Sequence, residues 1–426
     1  MTPAARLSAA IEILDAWHAA GTPIDVVLRR WGQAHRFAGS KDRAAIAERV
    51  YAVLKRRSRL AWRMAGESGR ALVLGSLCDI DGLSPDEIDA CLKSGGSHAP
   101  SPLSSSERER LLMPLDDAPA WVIGCYPEWL HDDLARGLGA SLAREAKAWF
   151  TRGPTDLRAN LLKTSREDAR TALLASGYVV ALTPLSPIGL RIPAGRSVTS
   201  STPYAEGLVE VQDEGSQLAV LAAGAAPGMT VCELGAGAGG KSLALAAAMG
   251  NRGRIVAADT DRARLERMEP RLARAGVSIV EPRVMEDASA LGDLEGVCDL
   301  VFVDAPCSGS GTWRREPENK WRLTPQVLET HLRTQALLLR QGAELVRPGG
   351  RMVYVTCSLL PQENDDQLAK FLTQDRRFER AQTGDCESPT GTVPLQDGVL
   401  RLTPGTTGTD GFFAAVLHKN RPVRGG

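Results

Sequence analysis

From residue 204 onward the chain alternates short apolar runs with helical segments, and that rhythm leaves few folds open. Thr230-Val-Cys-Glu-Leu, Arg254-Ile-Val-Ala-Ala, Asp299-Leu-Val-Phe-Val and Arg351-Met-Val-Tyr-Val read as buried strands, with Ser278-Ile-Val a weaker one. Apolar runs separated by helices belong to parallel strands covered on both faces. The region is therefore expected to be α/β, a doubly wound Rossmann-like sheet with strand order 3-2-1-4-5. Phe412-Phe-Ala-Ala-Val-Leu-His reads as a late antiparallel strand.

The earlier part differs. Residues 1–150 read as all-helical: Ile46, Val50, Val53 and Leu54 recur at the spacing of one helix face. A Ser/Gly/Pro-rich stretch at 93–106 interrupts the pattern, which resumes at Pro127. Residues 151–203 mix a strand at Leu157, a helix over 165–176 and a strand over 178–182, followed by Pro184, Pro187 and Pro193. The expected domains are 1–150 all-helical, 151–203 a small α/β module, and 204–426 the Rossmann-like domain.

Charge sharpens this division. The 426-residue chain is neutral, with 51 Lys/Arg against 51 Asp/Glu, yet residues 1–70 carry 13 basic and 6 acidic side chains. Arg49, Arg56, Arg57, Arg59 and Arg63 cluster on and after the apolar stripe. A basic end on a neutral chain fits a polyanion contact or a solvated helix face. No apolar run reaches the roughly 18–20 residues of a membrane span, and the N-terminus reads as a helix rather than a signal peptide. The eight cysteines form no CxxC pair, which argues against zinc ribbons. A cytoplasmic protein with no metal is expected.

The loop after the first strand of the Rossmann-like region, Glu233-Leu-Gly-Ala-Gly-Ala-Gly-Gly-Lys-Ser, has two readings. Gly235 with Gly240-Lys241-Ser242 matches the phosphate loop GxxxxGK[ST], and Leu300-Val-Phe-Val-Asp304 could be its partner strand in an ATPase. Read instead as Glu-x-Gly-x-Gly-x-Gly, the same residues, Gly235, Ala236, Gly237, Ala238, Gly239 and Gly240, resemble the turn that binds S-adenosylmethionine in Rossmann-like methyltransferases. Glycines there let the backbone approach a ligand, and the helix N-terminus favours a carboxylate. Asp259 favours the second reading: it lies 20 residues beyond Gly239, after the second strand, where it can accept ribose hydroxyls.

Two cysteines sit at strand ends. The fourth strand runs into Asp304-Ala-Pro-Cys-Ser-Gly, with Cys307, and the fifth into Thr356-Cys-Ser, with Cys357. Neighbouring strands lie about 5 Å apart, so two thiols 50 residues apart in sequence would face one crevice. Paired thiols suit one chemistry: a thiolate adding to carbon 6 of a pyrimidine makes carbon 5 nucleophilic enough to take a methyl group. Asp304, protonated in a shielded site, could hydrogen-bond the ring at N3. Lys241 could lower a thiolate pKa or contact the base. The other six cysteines read as small buried hydrophobes.

Pro306-Cys-Ser-Gly with Thr356-Cys-Ser resembles the Sun/NOP-type RNA cytosine-C5 methyltransferases. The resemblance extends to Val211-Gln-Asp-Glu-Gly-Ser-Gln-Leu, Gly311-Thr-Trp-Arg-Arg-Glu-Pro-Glu-Asn-Lys-Trp and Arg347-Pro-Gly-Gly. Glu48-Arg-Val-Tyr-Ala-Val-Leu-Lys-Arg looks like part of a NusB-type RNA-binding domain, the layout of the family's bacterial small-subunit rRNA member. The resemblance implies Cys357 as nucleophile and Cys307 as the residue that helps break down the adduct. It also implies S-adenosylmethionine held by residues 235–241, Asp259, Asp287 and Asp304. The implied substrate is 16S rRNA, with tRNA the alternative, and the enzyme is taken as a monomer. The family usually has Asp-x-Cys-Ala-Ala-Pro-Gly-Gly-Lys-Thr at the first loop; here Gly235 and Ala238 replace its cysteine and proline. That departure keeps open a non-catalytic RNA-binding assembly or antitermination factor built on the same fold.

Overall fold

The computed structural model describes residues 1–94, 96–382, 384–388 and 391–421. They form two compact units. One comprises Met1–Ala135, Gly139–Thr151 and Trp313–Leu323; the other comprises Arg136–Leu138, Arg152–Thr312 and Thr324–Gly426.

The first unit is helical. Its opening helix Pro3–Ala20 starts on Thr2, whose hydroxyl accepts the Ala5 N–H, with Pro3 fitting the first turn. Ile46, Val50, Val53 and Leu54 of helix Ser40–Lys55 are all buried, in one core with Leu7, Ile13, Leu14, Leu72 and Leu77. The segment Trp313–Leu323 completes this unit although its neighbours in sequence belong to the other. Glu318 accepts the Ile24 N–H (2.6 Å) and the Trp17 indole N–H (3.3 Å), and the Trp321 indole donates to the Leu54 carbonyl (2.7 Å). Lys320 is fully buried, donates to the Cys125 carbonyl (2.9 Å) and lies over the ring of Trp321; burial lowers its pKa to about 8.

The arginines grouped by sequence are largely committed inside this unit. Arg49 pairs with Asp81, Arg57 with Glu67 and Arg59 with Asp79. Arg63 donates to the carbonyls of Leu111 and Met113, and Arg56 lies 5.0 Å above the Phe150 ring. Helical periodicity shows which side chains share a face, but not which acids another helix brings opposite them.

The second unit begins with an antiparallel sheet of β1 (Thr155–Ala159), β2 (Ala181–Leu182), β3 (Gly189–Ile192) and β4 (Val209–Val211), in the order β2-β3-β1-β4. Helix Arg166–Ala175 starts on the Ser165 hydroxyl and packs Ala169 and Leu173 into the sheet's core. β3 is short and lies among prolines, so sequence gives little sign of it. β4 pairs with β1 and carries this sheet past residue 203.

The larger sheet contains β5 (Thr230–Leu234), β6 (Arg254–Asp259), β7 (Val280–Val284), β8 (Cys298–Asp304) and β9 (Val346–Thr356), all parallel. Their order is β7-β6-β5-β8-β9, which is the expected 3-2-1-4-5. The short β10 (Phe378–Arg380) and the backbone pair β11 (Gly384–Ser388) and β12 (Gly391–Leu395) precede β13 (Val399–Leu402) and β14 (Phe412–Lys419). β14 joins β9 antiparallel and extends the sheet, as expected. Helices Glu214–Ala222 and Gly240–Ala248 cover one face; Pro325–Leu345 and Asp365–Gln374 cover the other. Among the described residues no helix is long and apolar enough to cross a membrane.

Candidate active site

The carboxyl ends of β5, β6, β8 and β9 share one edge of the sheet, which is where doubly wound sheets bind ligands. Each strand delivers a residue singled out by sequence. At the end of β5, Gly235 has φ +82°, and a Cβ there would sit 2.2 Å from the Asp304 carbonyl oxygen. Gly239 has φ +81°, with Met268 2.4 Å from where its Cβ would be. Both positions demand glycine on two counts. The N–H groups of Gly235 and Ala236 both donate to the Ala258 carbonyl of β6 (2.9 and 3.0 Å). Asp259 accepts the Gly237 N–H (2.7 Å) and the Asp261 N–H (2.9 Å), so this carboxylate also holds the loop it was expected to serve.

Beneath the loop Glu233 is completely buried. One carboxyl oxygen accepts the Ser242 hydroxyl; the other, Oε1, has no partner. Burial pushes the Glu233 pKa up to about 8, against the Ser242 hydrogen bond and with the help of the Asp304 charge.

Lys241 Nζ lies 2.6 Å from Asp304 Oδ2. Burial disfavours the lysine charge, but Asp304 outweighs it, with Glu233 and Cys357 adding, and the pKa ends above the usual lysine value. Asp304 thus has Lys241 as its partner, because the helix after the glycine loop brings that lysine against the end of β8. Asp287, two residues beyond Met285, is exposed and accepts from the N–H and hydroxyl of Ser289; the Met285 N–H donates to the Asp259 carbonyl (2.9 Å).

Cys307 and Cys357 do converge. Their sulfurs are 3.4 Å apart, well beyond the roughly 2.05 Å of a disulfide, and both residues are half-buried free thiols. The hydrogen bond to Cys357 pushes the Cys307 thiol well above its ordinary pKa; burial and the charges of Cys357 and Glu363 push the same way. Of the other cysteines, Cys125, Cys232 and Cys298 are buried, while Cys78 and Cys91 are only partly so. The Cys386 side chain lies outside the described ones.

Sequence reasoning missed the group that holds the two thiol loops together. Glu363, fully buried, accepts the Ser308 N–H (2.8 Å) and the hydroxyls of both Ser308 and Ser358. Gln335 on the long helix donates to the same carboxylate (3.0 Å) and to the Pro306 carbonyl (3.0 Å). One carboxylate therefore clamps the residue after Cys307 and the residue after Cys357. The available signal was the serine that follows each cysteine.

The 16S rRNA methyltransferase RsmB/F family matches residues 221–418, and the ferredoxin-like domain of RsmF/B-like methyltransferases matches residues 126–199. A probable ribosomal RNA small subunit methyltransferase B from Synechocystis sp. is 33% identical over 300 residues, covering 69% of this chain and 67% of that protein. The chain belongs to the RsmB/F family. A Bacillus subtilis protein described in the same words is 30% identical over 69% of this chain and 66% of its own length. The crystal structure of PH0851 superposes with TM-score 0.73 at 25% identity, covering 98% of this chain and 99% of that one. A methyltransferase homologue from Pyrococcus horikoshii gives 0.59 at 29% identity, over 70% and 97%.

This RsmB/F chain is an S-adenosylmethionine-dependent methyltransferase, so the ATPase reading of the glycine loop falls: Lys241, its phosphate lysine, is bound to Asp304. The non-catalytic reading falls with it. The residues present suit the cofactor. The unpartnered Glu233 Oε1 leaves a buried acceptor under the loop for a cationic group, and Asp259 closes the second strand as a hydroxyl acceptor.

Proposed function

We propose that this enzyme methylates carbon 5 of a cytosine in 16S rRNA through a covalent adduct on Cys357. The observation that carries the reading is the pair of free thiols 3.4 Å apart at the ends of adjacent parallel strands, next to the Lys241–Asp304 pair. The match covers about two thirds of the curated relatives' length, so the rRNA target belongs to the proposal.

The sulfurs have different roles. The family resemblance makes Cys357 the nucleophile, while Cys307, its thiol pushed well up by the hydrogen bond to Cys357, keeps a proton for the later step. The Cys357 thiolate adds to carbon 6, and the electron pair displaced from the 5,6 double bond makes carbon 5 nucleophilic. Asp304 meets the ring at N3 as a carboxylic acid and gives up its proton there as negative charge develops, and Lys241 steadies the carboxylate left behind. S-adenosylmethionine, when bound by residues 235–241, Asp259, Asp287 and Asp304, with the unpartnered Glu233 Oε1 beneath the loop, would supply the methyl group that carbon 5 takes up. Loss of the carbon-5 proton to water then restores the 5,6 double bond as the carbon–sulfur bond breaks and its electrons return to Cys357. The Cys307 S–H, 3.4 Å away, is placed to donate a proton to the departing sulfur. Removing Cys307 should therefore stall release rather than attack.

The base leaves its stack to reach this crevice, and the helical unit, read as NusB-like, and the module at 151–203 hold the flanking RNA. The enzyme is taken as monomeric, cytoplasmic and independent of metal.

The test incubates each cysteine variant with a 16S rRNA fragment and S-adenosylmethionine. Cys307→Ala should accumulate a covalent protein–RNA adduct on denaturing gels, and Cys357→Ala should form none. The opposite pattern would make Cys307 the nucleophile and overturn the assignment. Bisulfite sequencing of rRNA and tRNA from cells with and without the protein identifies the substrate.

A further inference from the structure

With Arg49, Arg57, Arg59 and Arg63 engaged internally, the basic excess of the helical unit has to be located elsewhere. It gathers where helix Ile24–Ala34 turns into helix Ser40–Lys55. Arg29, Arg30, Arg36, Lys41 and Arg43 are all exposed there. Arg29, Arg30, Arg36 and Lys41 make no hydrogen bond or ion pair with any described residue, unlike the arginines that follow. The acids nearest in sequence are engaged elsewhere: Asp42 by the Met1 amino group (3.2 Å) and Arg6 (2.8 Å), and Asp25 by the Tyr51 hydroxyl, which donates to it. Four uncompensated cations within 13 residues repel one another, and a folded chain keeps them together more readily when a polyanion neutralises them.

An aromatic ring stands in the middle of this charge. Phe37 is 72% exposed, in a turn that is itself well fixed. Its ring meets His35 edge-on at 5.6 Å, and His35 stacks on Trp31 at 4.3 Å with planes 14° apart. Trp31 is buried and anchored to Glu12 through its indole N–H (3.0 Å). Arg43 closes the turn by donating to the Ala38 carbonyl (2.9 Å). Phe37 is thus an apolar surface braced from below and presented to solvent, with cations before and after it. Cationic flanks track a phosphate backbone, and an exposed ring offers a face on which an unpaired base stacks.

We propose that residues 29–43 form a single-stranded RNA contact, in which Arg29, Arg30, Arg36 and Lys41 neutralise backbone phosphates and an unpaired base stacks on Phe37. An apolar protein partner would cover the ring but leave the four cations uncompensated; RNA satisfies both. The inference rests on RNA being the substrate and adds a second anchoring point outside the methyl-transfer crevice.

The test measures binding of a 16S rRNA fragment by fluorescence anisotropy across salt concentrations, beside methylation at saturating RNA. Phe37→Ala should weaken binding about 5- to 150-fold, the span of one stacked base, with an unchanged salt slope. Phe37→Trp should restore binding. The double variant Arg36→Gln/Lys41→Gln should flatten the slope of log K against log salt by about 1.4, two phosphate contacts' worth on a single strand. All three should keep wild-type helical circular dichroism and turnover at saturating RNA. RNA affinity and salt slope unchanged in Phe37→Ala and in the double variant would overturn the proposal, including when either variant loses a protein partner instead. A wild-type enzyme that methylates no RNA would sink the functional reading itself, a separate and recognisable failure.

Discussion

Exchanging Glu363 for glutamine should slow the reaction while leaving both cysteines in place. The carboxylate accepts four hydrogen bonds, from the Ser308 N–H, the Ser308 and Ser358 hydroxyls and the Gln335 amide. Bonds to a charged acceptor contribute about 1.5–3 kcal/mol each, neutral ones about 0.5–1.5. Four such downgrades would amount to about 4 kcal/mol. Glutamine also removes a buried charge whose desolvation is costly, so the net loss of stability should be nearer 1–2 kcal/mol. At about 2–4 °C per kcal/mol for a unit of this size, Tm should fall by a few degrees. Placement suffers more. The glutamine oxygen can still receive the Ser308 N–H, but its NH2 group then faces two hydroxyls that must turn round to accept from it. A sub-ångström drift of either cysteine loop is enough to cost about 10- to 100-fold in kcat, with KM for RNA and cofactor little changed. Single-turnover adduct formation and release on denaturing gels would measure it. A second readout separates positioning from mere support. The Glu363 charge is one of the influences holding the Cys307 thiol pKa up, so the alkaline limb of adduct release should move to lower pH in Glu363→Gln. Wild-type kcat and an unmoved pH profile would refute the clamp.

Three further outcomes follow from the cofactor loop and the buried acid. Glu233 has a folded pKa of about 8 against 4.5 unfolded, so its contribution is complete below pH 4.5 and is lost as pH rises to about 8. At about 1.4 kcal/mol per unit, Glu233→Gln should gain up to about 5 kcal/mol on the wild type across that window; parallel Tm curves from pH 5 to 8 would contradict it. S-adenosylmethionine binding near pH 7.5 should release part of a proton from Glu233, read by calorimetry in buffers of different ionisation enthalpy, and the release should vanish in Glu233→Gln. Gly239→Ala should weaken cofactor binding at least tenfold and lower Tm, because a Cβ would strike Met268 at 2.4 Å with φ at +81°. Unchanged affinity by calorimetry would count against the rigid turn.

The parts of the fold that sequence made legible are those set by local apolar pattern. The parallel strands β5, β6, β8 and β9 are continuous buried runs, and their order follows from the helices between them. β7 starts at Val280, not Ser278, because this edge strand carries Glu281 and Arg283 and has a weak apolar signal. β3 and β4 escaped notice because four- and three-residue strands show no period, and their stability comes from pairing with β1. The site divides in the same way. The cysteines and the glycine loop announce themselves through chemistry and backbone demand. Glu363 does not: nothing around it in sequence says that its carboxylate turns back toward two serines 55 and 5 residues away.

The motif Val211–Leu218 illustrates how a quotable sequence pattern differs from a known role. Its polar residues lie at a buried junction. Gln212 accepts from Arg158 of β1 (2.8 Å), Glu214 Oε1 accepts the N–H groups of Leu185 and Ser186 (2.6 and 2.7 Å), and Gln217 donates to the Leu157 carbonyl (3.2 Å). Polar groups removed from water must meet one another in fixed geometry, so these bonds set the register of the small antiparallel sheet on helix Glu214–Ala222. Beside them, Glu210 on β4 pairs with Arg271 (3.1 Å), and Arg271 also donates to the Ala238 carbonyl within the glycine loop. The small sheet is therefore joined to the cofactor turn through a single guanidinium. Arg271→Met should separate the two: cofactor affinity should fall several-fold while the small sheet stays folded, and the loss should be larger with RNA bound than without it. Equal losses with and without RNA would show that Arg271 merely props up the loop and carries nothing from the sheet.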